Sequence, residues 1–130
     1  MSGKGIFNRS NVIIGYLDNK LPVQAMKTMN SIIDDKPNIS IITKIEILRF
    51  NTSEINYKIL KDFIDESIVF GLDDLVTDHT ISICRSNRIK LPDAIIAATA
   101  IVYDLRLVTR NITDFKKIKD IELLNPWDIS

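Results

Sequence analysis

Leu91-Pro-Asp-Ala-Ile-Ile-Ala-Ala-Thr-Ala-Ile-Val-Tyr103 carries a single charge, Asp93, in a stretch that is otherwise apolar or small on every face of a helix. A helix of this composition is buried on more than one side. Pro92 suits the first helical position, so Asp93 falls where free backbone N–H groups favour an anion. Asp93 is therefore either a buried helix-start carboxylate with a donor or a residue facing a site, and these preferences alone favour the first alternative.

The rest of the chain alternates between strand-like and helix-like patterns. Strands are predicted over residues 5–8, 38–42, 67–70, 106–109 and 121–124. Helices are predicted over residues 11–17, 22–35, 43–50, 53–66, 74–87 and 91–103, with Asp73 or Asp74 as the cap of the fifth. Strands separated by helices along a short chain are typical of a parallel sheet covered on both faces. The predicted class is α/β, with a central parallel sheet of about five strands.

Composition narrows the class of protein. The 130 residues predict one domain over residues 1–130, and 45% hydrophobic with 26% charged residues excludes global disorder. No apolar run approaches the roughly 18 residues of a membrane span, and the amino terminus does not resemble a signal peptide, so a cytoplasmic protein is expected. The lone Cys84 cannot form an internal disulfide and is expected to be a small, half-buried residue.

The charge balance gives little support to a global nucleic-acid surface. Seventeen basic and seventeen acidic residues leave a net charge of zero. A local basic patch near the end is the alternative, although a solvated face explains it equally well. That patch contains Arg106, Arg110, Lys116, Lys117 and Lys119.

Three acidic residues fall at one predicted edge of the sheet. Ligands of such folds bind beyond the carboxyl ends of the strands, and Glu46, Asp93 and Asp114 all lie at or near that edge. Clustered carboxylates require protonation, a basic partner or a hard cation such as Mg²⁺. Thr109 and Asn111 could orient a water nucleophile or an acidic side chain there.

A purely structural interpretation of each acid is also open. Glu46 could be an exposed helix residue, Asp114 a cap for the following turn, and Asp93 a helix-start anion. Other catalytic motifs have little support, because His79 is the only histidine and the chain has no glycine-rich phosphate loop and no Cys-x-x-Cys pair.

Two stretches together resemble a known family. Ile89-Lys-Leu-Pro-Asp-Ala-Ile-Ile-Ala-Ala-Thr-Ala100 and Leu107-Val-Thr-Arg-Asn-Ile-Thr-Asp-Phe115 are similar to the signature of the PIN domain, particularly of VapC-type toxins. Residues 10–17 and 121–127 resemble the same family, so that the resemblance covers essentially the whole chain.

This resemblance implies a three-layer α/β/α sandwich and Mg²⁺- or Mn²⁺-dependent cleavage of RNA. It also implies a homodimer and a small antitoxin that occludes the site. By position, the acids Glu46, Asp93 and Asp114 match the residues that would hold the metal, and Asn11 and Asn111 match supporting polar residues. Thr109 is a further supporting candidate because it lies at the same predicted edge of the sheet.

One position departs from the family pattern. Where the family has an aspartate that binds metal at the end of the first strand, this chain has Arg9. The change removes an oxygen ligand and alters the local charge by two units. Asp18 lies past the far end of the next helix, and Asn8 would point to the opposite face of the strand.

Arg9 leaves three alternatives open. The protein could be a compromised endoribonuclease in which Arg9 contacts the scissile phosphate. It could instead be an inactive PIN domain that binds RNA or an antitoxin, with Arg9 paired to Asp93 or Glu46 in place of a metal. Finally, Arg9 could be a substitution in this sequence.

Overall fold

The computed structural model describes residues 5–17, 23, 26–27 and 36–125. Its five strands are β1 (Gly5–Asn8), β2 (Asn38–Ser40), β3 (Ile68–Phe70), β4 (Leu105–Val108) and β5 (Leu123–Leu124). Its bounded helices are α1 (Ser10–Leu17), α2 (Ile41–Leu48), α3 (Glu54–Asp65), α4 (Asp74–Ser86), α5 (Leu91–Val102) and α6 (Ile112–Phe115).

The strands form one sheet in the order β3-β2-β1-β4-β5, and all four pairings are parallel. The first strand is therefore central, and its register with β4 runs from Gly5 opposite Leu105 to Asn8 opposite Val108. Parallel strands need crossover connections, which the helices supply. The predicted five-stranded parallel sheet is confirmed.

Two hydrophobic clusters lie on the two faces of this sheet. Phe7 packs with residues of α4, α5 and β4, whereas Ile39 packs with residues of α1, α2 and α3. Since Phe7 is in register with Asn38, its neighbour Ile39 points to the opposite face. The described helices thus cover both faces, and the predicted three-layer α/β/α arrangement is confirmed.

The α5 helix is buried as its sequence predicts. Residues 94–100 are all buried, and none exceeds 8% exposure. Pro92 lies in the first turn, and Lys90 at the N-cap makes no side-chain capping bond. Asp93 is consequently the acidic residue of a helix start that leads straight into the core.

Several predicted boundaries were wrong by one or two residues. The second strand stops at Ser40, because the Ser40 side chain accepts a hydrogen bond from the Ile42 backbone N–H at 3.0 Å and so starts α2 earlier. The last two strands are Leu105–Val108 and Leu123–Leu124 instead of residues 106–109 and 121–124. Cys84 is exposed, not half-buried, because it lies on a face of α4 that the core does not cover.

The predicted helix over residues 22–35 lies mostly outside the described residues. Within it, Val23, Met26 and Lys27 are helical. None of the described helices has the length and apolar character required to cross a membrane.

The N-terminus of α4 is tied to the end of α5. Asp73 is the N-cap, and it accepts hydrogen bonds from the Val76 backbone N–H at 2.8 Å and from the Tyr103 hydroxyl. The Tyr103 ring also packs on Phe70, with 4.8 Å between the ring centroids. The Tyr103 hydrogen bond, followed by the Val76 N–H, holds the pKa of Asp73 below its ordinary value.

We expect the contribution of this contact to stability to depend on pH. Because the pKa of Asp73 is lowered by folding, its stabilisation is present at neutral pH and is lost as the pH falls through the lowered pKa. Tyr103→Phe should therefore lower the melting temperature at pH 7, and the gap to the unsubstituted chain should shrink in acid. Thermal melts at pH 7 and near pH 3 measure it, and a gap that does not change with pH would contradict it.

Candidate functional site

The carboxyl ends of the central strands bring Arg9 and Thr109 to one edge of the sheet. Arg9 directly follows β1 and Thr109 directly follows β4, and these two strands are neighbours. The Arg9 backbone N–H donates to the Val108 carbonyl at 3.1 Å, which extends the pairing by one residue. This edge is the location at which open parallel sheets bind ligands.

Arg9 and Asp93 form an ion pair at this edge. Arg9 Nη1 lies 3.1 Å from Asp93 Oδ1, and the two side chains are 11% and 17% exposed. Hydrogen-bonded charge pairs with so little exposure are screened weakly by salt. The pairing of Arg9 with Asp93, one of the sequence-based alternatives, is therefore present in the structure.

The guanidinium also contacts an aromatic ring. Its central carbon lies 5.3 Å from the centroid of the Phe115 ring, within the range of a cation–π interaction. Phe115 is fully buried at the end of α6. Arg9 is thus held between a carboxylate on α5 and a ring on α6.

A cleft with a volume of about 460 Å³ opens beside Asp93. It is lined by Arg88, Ile89, Lys90, Asp93, Asp114 and Lys117. Asp93 and Asp114, two of the predicted site residues, therefore share one cleft. The Lys117 ammonium donates a hydrogen bond to the Arg88 backbone carbonyl.

Sequence reasoning missed Arg88 and Lys90 as site residues and placed Lys117 only in a general basic patch. Lys90 directly precedes α5, the helix that begins at the site edge, and Arg88 lies two residues before Lys90. Residues just before such a helix lie at the same edge of the sheet as its first turn. Their position next to Leu91-Pro92-Asp93 could therefore have identified both residues from the sequence.

Glu46, the third predicted acid, does not line this cleft. It is half-buried on α2. Across the described ranges, no group of three or more His, Cys, Asp or Glu side chains is arranged to hold a metal ion. The three predicted ligands, Glu46, Asp93 and Asp114, are thus not gathered into one group.

The residues present do not fit the Mg²⁺ or Mn²⁺ ion that the family resemblance implies. Asp93 Oδ1 already has the Arg9 guanidinium at 3.1 Å, so a positive group is present at the carboxylate that would bind the ion. Hard divalent ions in proteins are bound through oxygen ligands, and carboxylates supply the charge. Two carboxylates, Asp93 and Asp114, line the cleft, and one of them is paired with Arg9, so the carboxylate density is too low for such a site.

The predicted supporting residues have different environments. Thr109 is buried, and its hydroxyl accepts a hydrogen bond from the Asn111 backbone N–H at 3.0 Å, which shapes the loop before α6. The Asn111 side chain is exposed and makes no capping bond to α6. Asn11 lies in the first turn of α1, and its side chain is outside the described part. Thr109 therefore has a structural role in the loop.

Buried polar atoms also surround the edge. Both side-chain polar atoms of Asn8, the Thr43 hydroxyl and Arg9 Nε are buried without a hydrogen-bond partner in the protein. Asn8 ends β1 and Thr43 lies in the first turn of α2. A buried polar group without a hydrogen-bond partner costs free energy.

Residues 10–121 match the sequence profile of the PIN domain. This chain belongs to the PIN-domain family. The match covers most of the 130 residues and includes Asp93 and Asp114. The family predicted from the sequence motifs is therefore confirmed.

Solved structures share the PIN fold of this chain over nearly their whole length. A toxin–antitoxin complex from Klebsiella pneumoniae is 22% identical, with a TM-score of 0.78, and the alignment covers 96% of this chain and 100% of that one. DNA-bound VapBC from Salmonella typhimurium is 23% identical, with a TM-score of 0.78 and coverage of 95% and 98%. VapBC2 from Rickettsia felis, bound to a promoter DNA fragment, is 21% identical, with a TM-score of 0.76 and coverage of 92% and 97%.

These similarities show that the chain has the fold of the PIN domain. No curated protein matches the sequence.

Proposed function

We propose that this PIN domain is the toxin-type subunit of a toxin–antitoxin pair and that it binds RNA in the cleft beside Asp93 and Asp114. The observation that carries the proposal is the basic rim of this cleft. Three cationic residues, Arg88, Lys90 and Lys117, line the cleft. The RNA class of the ligand follows from the likeness of the sequence motifs to VapC-type toxins.

The charges in the cleft favour a phosphodiester backbone as its ligand. Arg9 neutralises the charge of Asp93. Among the residues that line the cleft, the charge of Asp114 then opposes the charges of Arg88, Lys90 and Lys117. The resulting excess of positive charge attracts phosphate groups and makes binding dependent on salt. The Lys117 ammonium donates a hydrogen bond to the Arg88 backbone carbonyl, which places its charge next to the start of the cleft lining.

We expect Lys90→Glu and Lys117→Glu each to weaken RNA binding about tenfold. Each should also lower the slope of the logarithm of the binding constant against the logarithm of the salt concentration by the amount of about one phosphate contact. Fluorescence polarisation with a labelled single-stranded RNA measures both quantities. Lys58→Glu is the matched control, because Lys58 lies exposed on α3 and pairs with Asp62 at 3.2 Å, away from the cleft residues. Equal weakening by the control, or none in either cleft variant, would reject the cleft as the RNA site.

The antitoxin and a second copy of the chain are the proposed protein partners. Structures with this fold include toxin–antitoxin complexes, and the chain spans 97–100% of the three described above. A homodimer in the cytoplasm is the expected form. Light scattering after size-exclusion chromatography distinguishes it from a 14.8 kDa monomer, and a monomer at all concentrations would reject the dimer.

Metal-dependent RNA cleavage is the second candidate function. It is favoured by the presence of Asp93 and Asp114 in the same cleft. The family resemblance implies Glu46, Asp93 and Asp114 as the residues that would hold Mg²⁺ or Mn²⁺, but the described arrangement of these acids does not fit such an ion. The Arg9–Asp93 pair makes it the less favoured function of the present sequence.

A further inference from the structure

Asp93 needs a positive partner where it lies. Its side chain is only 17% exposed, and it opens a helix whose next seven residues are buried. A carboxylate with so little water around it is costly without a counter-charge. The helix N-terminus supplies a partial charge, and Arg9 Nη1 at 3.1 Å supplies a full one.

Arg9 is held in this position from both its backbone and its side chain. Its N–H donates to Val108, and its carbonyl accepts from the N–H groups of Val12 and Ile13 at 3.2 Å each, so it joins β1 to α1. The guanidinium lies against Phe115 at 5.3 Å. Because the main chain is fixed and the side chain is 11% exposed, Arg9 does not behave as a surface arginine.

A divalent ion at Asp93 would have to displace the guanidinium or lie next to it. Two cations sharing one carboxylate repel each other strongly where solvent is scarce. Displacement is also costly, since Arg9 Nε already lacks a hydrogen-bond partner and Nη1 would lose its contact with Asp93 Oδ1.

We propose that Arg9 is the built-in cation of this site and that it excludes divalent metal ions from Asp93. The protein thus replaces an exchangeable metal with a covalently attached charge. This inference concerns the charge balance of the site, and it holds whether or not RNA is the ligand of the cleft.

Binding of Mn²⁺ tests the proposal without any activity measurement. The electron paramagnetic resonance signal of free Mn²⁺ should be unchanged by the unsubstituted chain, and its melting temperature should be the same in Mn²⁺ and in EDTA. Arg9→Asp should bind Mn²⁺ at least tenfold more tightly. Its melting temperature should rise by roughly 10 °C when Mn²⁺ is present at about a hundred times the dissociation constant.

Arg49→Asp is the charge-matched control, because Arg49 is exposed at the C-cap of α2 and does not line the cleft. Equal Mn²⁺ binding by the unsubstituted chain and Arg9→Asp would overturn the proposal, and so would an equal gain in Arg49→Asp. If Arg9→Asp does not fold, Arg9→Met decides, since it removes the cation without adding a carboxylate. Tighter Mn²⁺ binding by Arg9→Met supports the proposal, and unchanged binding overturns it.

Discussion

Arg9→Asp is expected to cleave RNA in Mn²⁺ or Mg²⁺ at least a hundredfold faster than the unsubstituted chain, which corresponds to about 2.7 kcal/mol of activation free energy. The substitution removes the cation that lies 3.1 Å from Asp93 and adds an oxygen ligand at the end of β1. The new carboxylate would stand beside a cleft that already contains Asp93 and Asp114. This change converts a charge-neutral pair into the kind of carboxylate group that binds hard cations.

A labelled RNA incubated with each protein, with and without EDTA, measures this effect. Arg49→Asp should stay at the background rate, because its charge change lies outside the cleft. Equal, EDTA-sensitive cleavage by the unsubstituted chain and Arg9→Asp would show that Arg9 does not suppress hydrolysis. If Arg9→Asp binds Mn²⁺ but does not cleave RNA, the nuclease candidate is rejected while the built-in cation stands.

Asp93→Asn is expected to destabilise the protein by about 3 kcal/mol, which lowers the melting temperature by roughly 10 °C. The amide keeps the shape of the side chain but leaves the guanidinium of Arg9, which is 11% exposed, without a counter-charge. Removing one partner of a buried pair costs more stability than the pair itself contributes, because the other charge is left buried without a partner.

Asp62→Asn is the matched control for this measurement. Asp62 pairs with Lys58 at 3.2 Å, nearly the same distance as in the Arg9–Asp93 pair, but its side chain is 63% exposed. Surface pairs of this kind contribute roughly 0–1 kcal/mol. Urea denaturation of both variants compares them, and equal losses of stability would mean that the Arg9–Asp93 pair behaves as a surface pair.

The fold was predictable because its patterns are local. The all-apolar stretch after Asp93 required a buried helix, and strands separated by helices required a parallel sheet. One boundary error falls where a short apolar run fits both a strand and a helix, at residues 39–42. Hydrophobicity could not place the end of β2, which depends on the bond from the Ile42 N–H to the Ser40 side chain.

The candidate site was predictable only in part. Strand ends indicated the correct edge, and the departure at Arg9 suggested its pairing with Asp93 or Glu46. The structure contains the pair with Asp93. The contact of Arg9 with Phe115 and the bond between Lys117 and Arg88 depend on how loops fold in space. Sequence spacing carries no information about such contacts.

A double-mutant cycle on Arg9 and Asp93 tests most directly whether Arg9 serves as the cation of this site. The cycle compares the free energies of unfolding of Arg9→Met, Asp93→Asn and the double variant with that of the unsubstituted chain, in EDTA. We predict a coupling free energy of about 2 kcal/mol or more. The double variant should be more stable than Asp93→Asn alone, because it no longer contains a buried guanidinium without a counter-charge. Effects that add to within about 0.5 kcal/mol would contradict the claim.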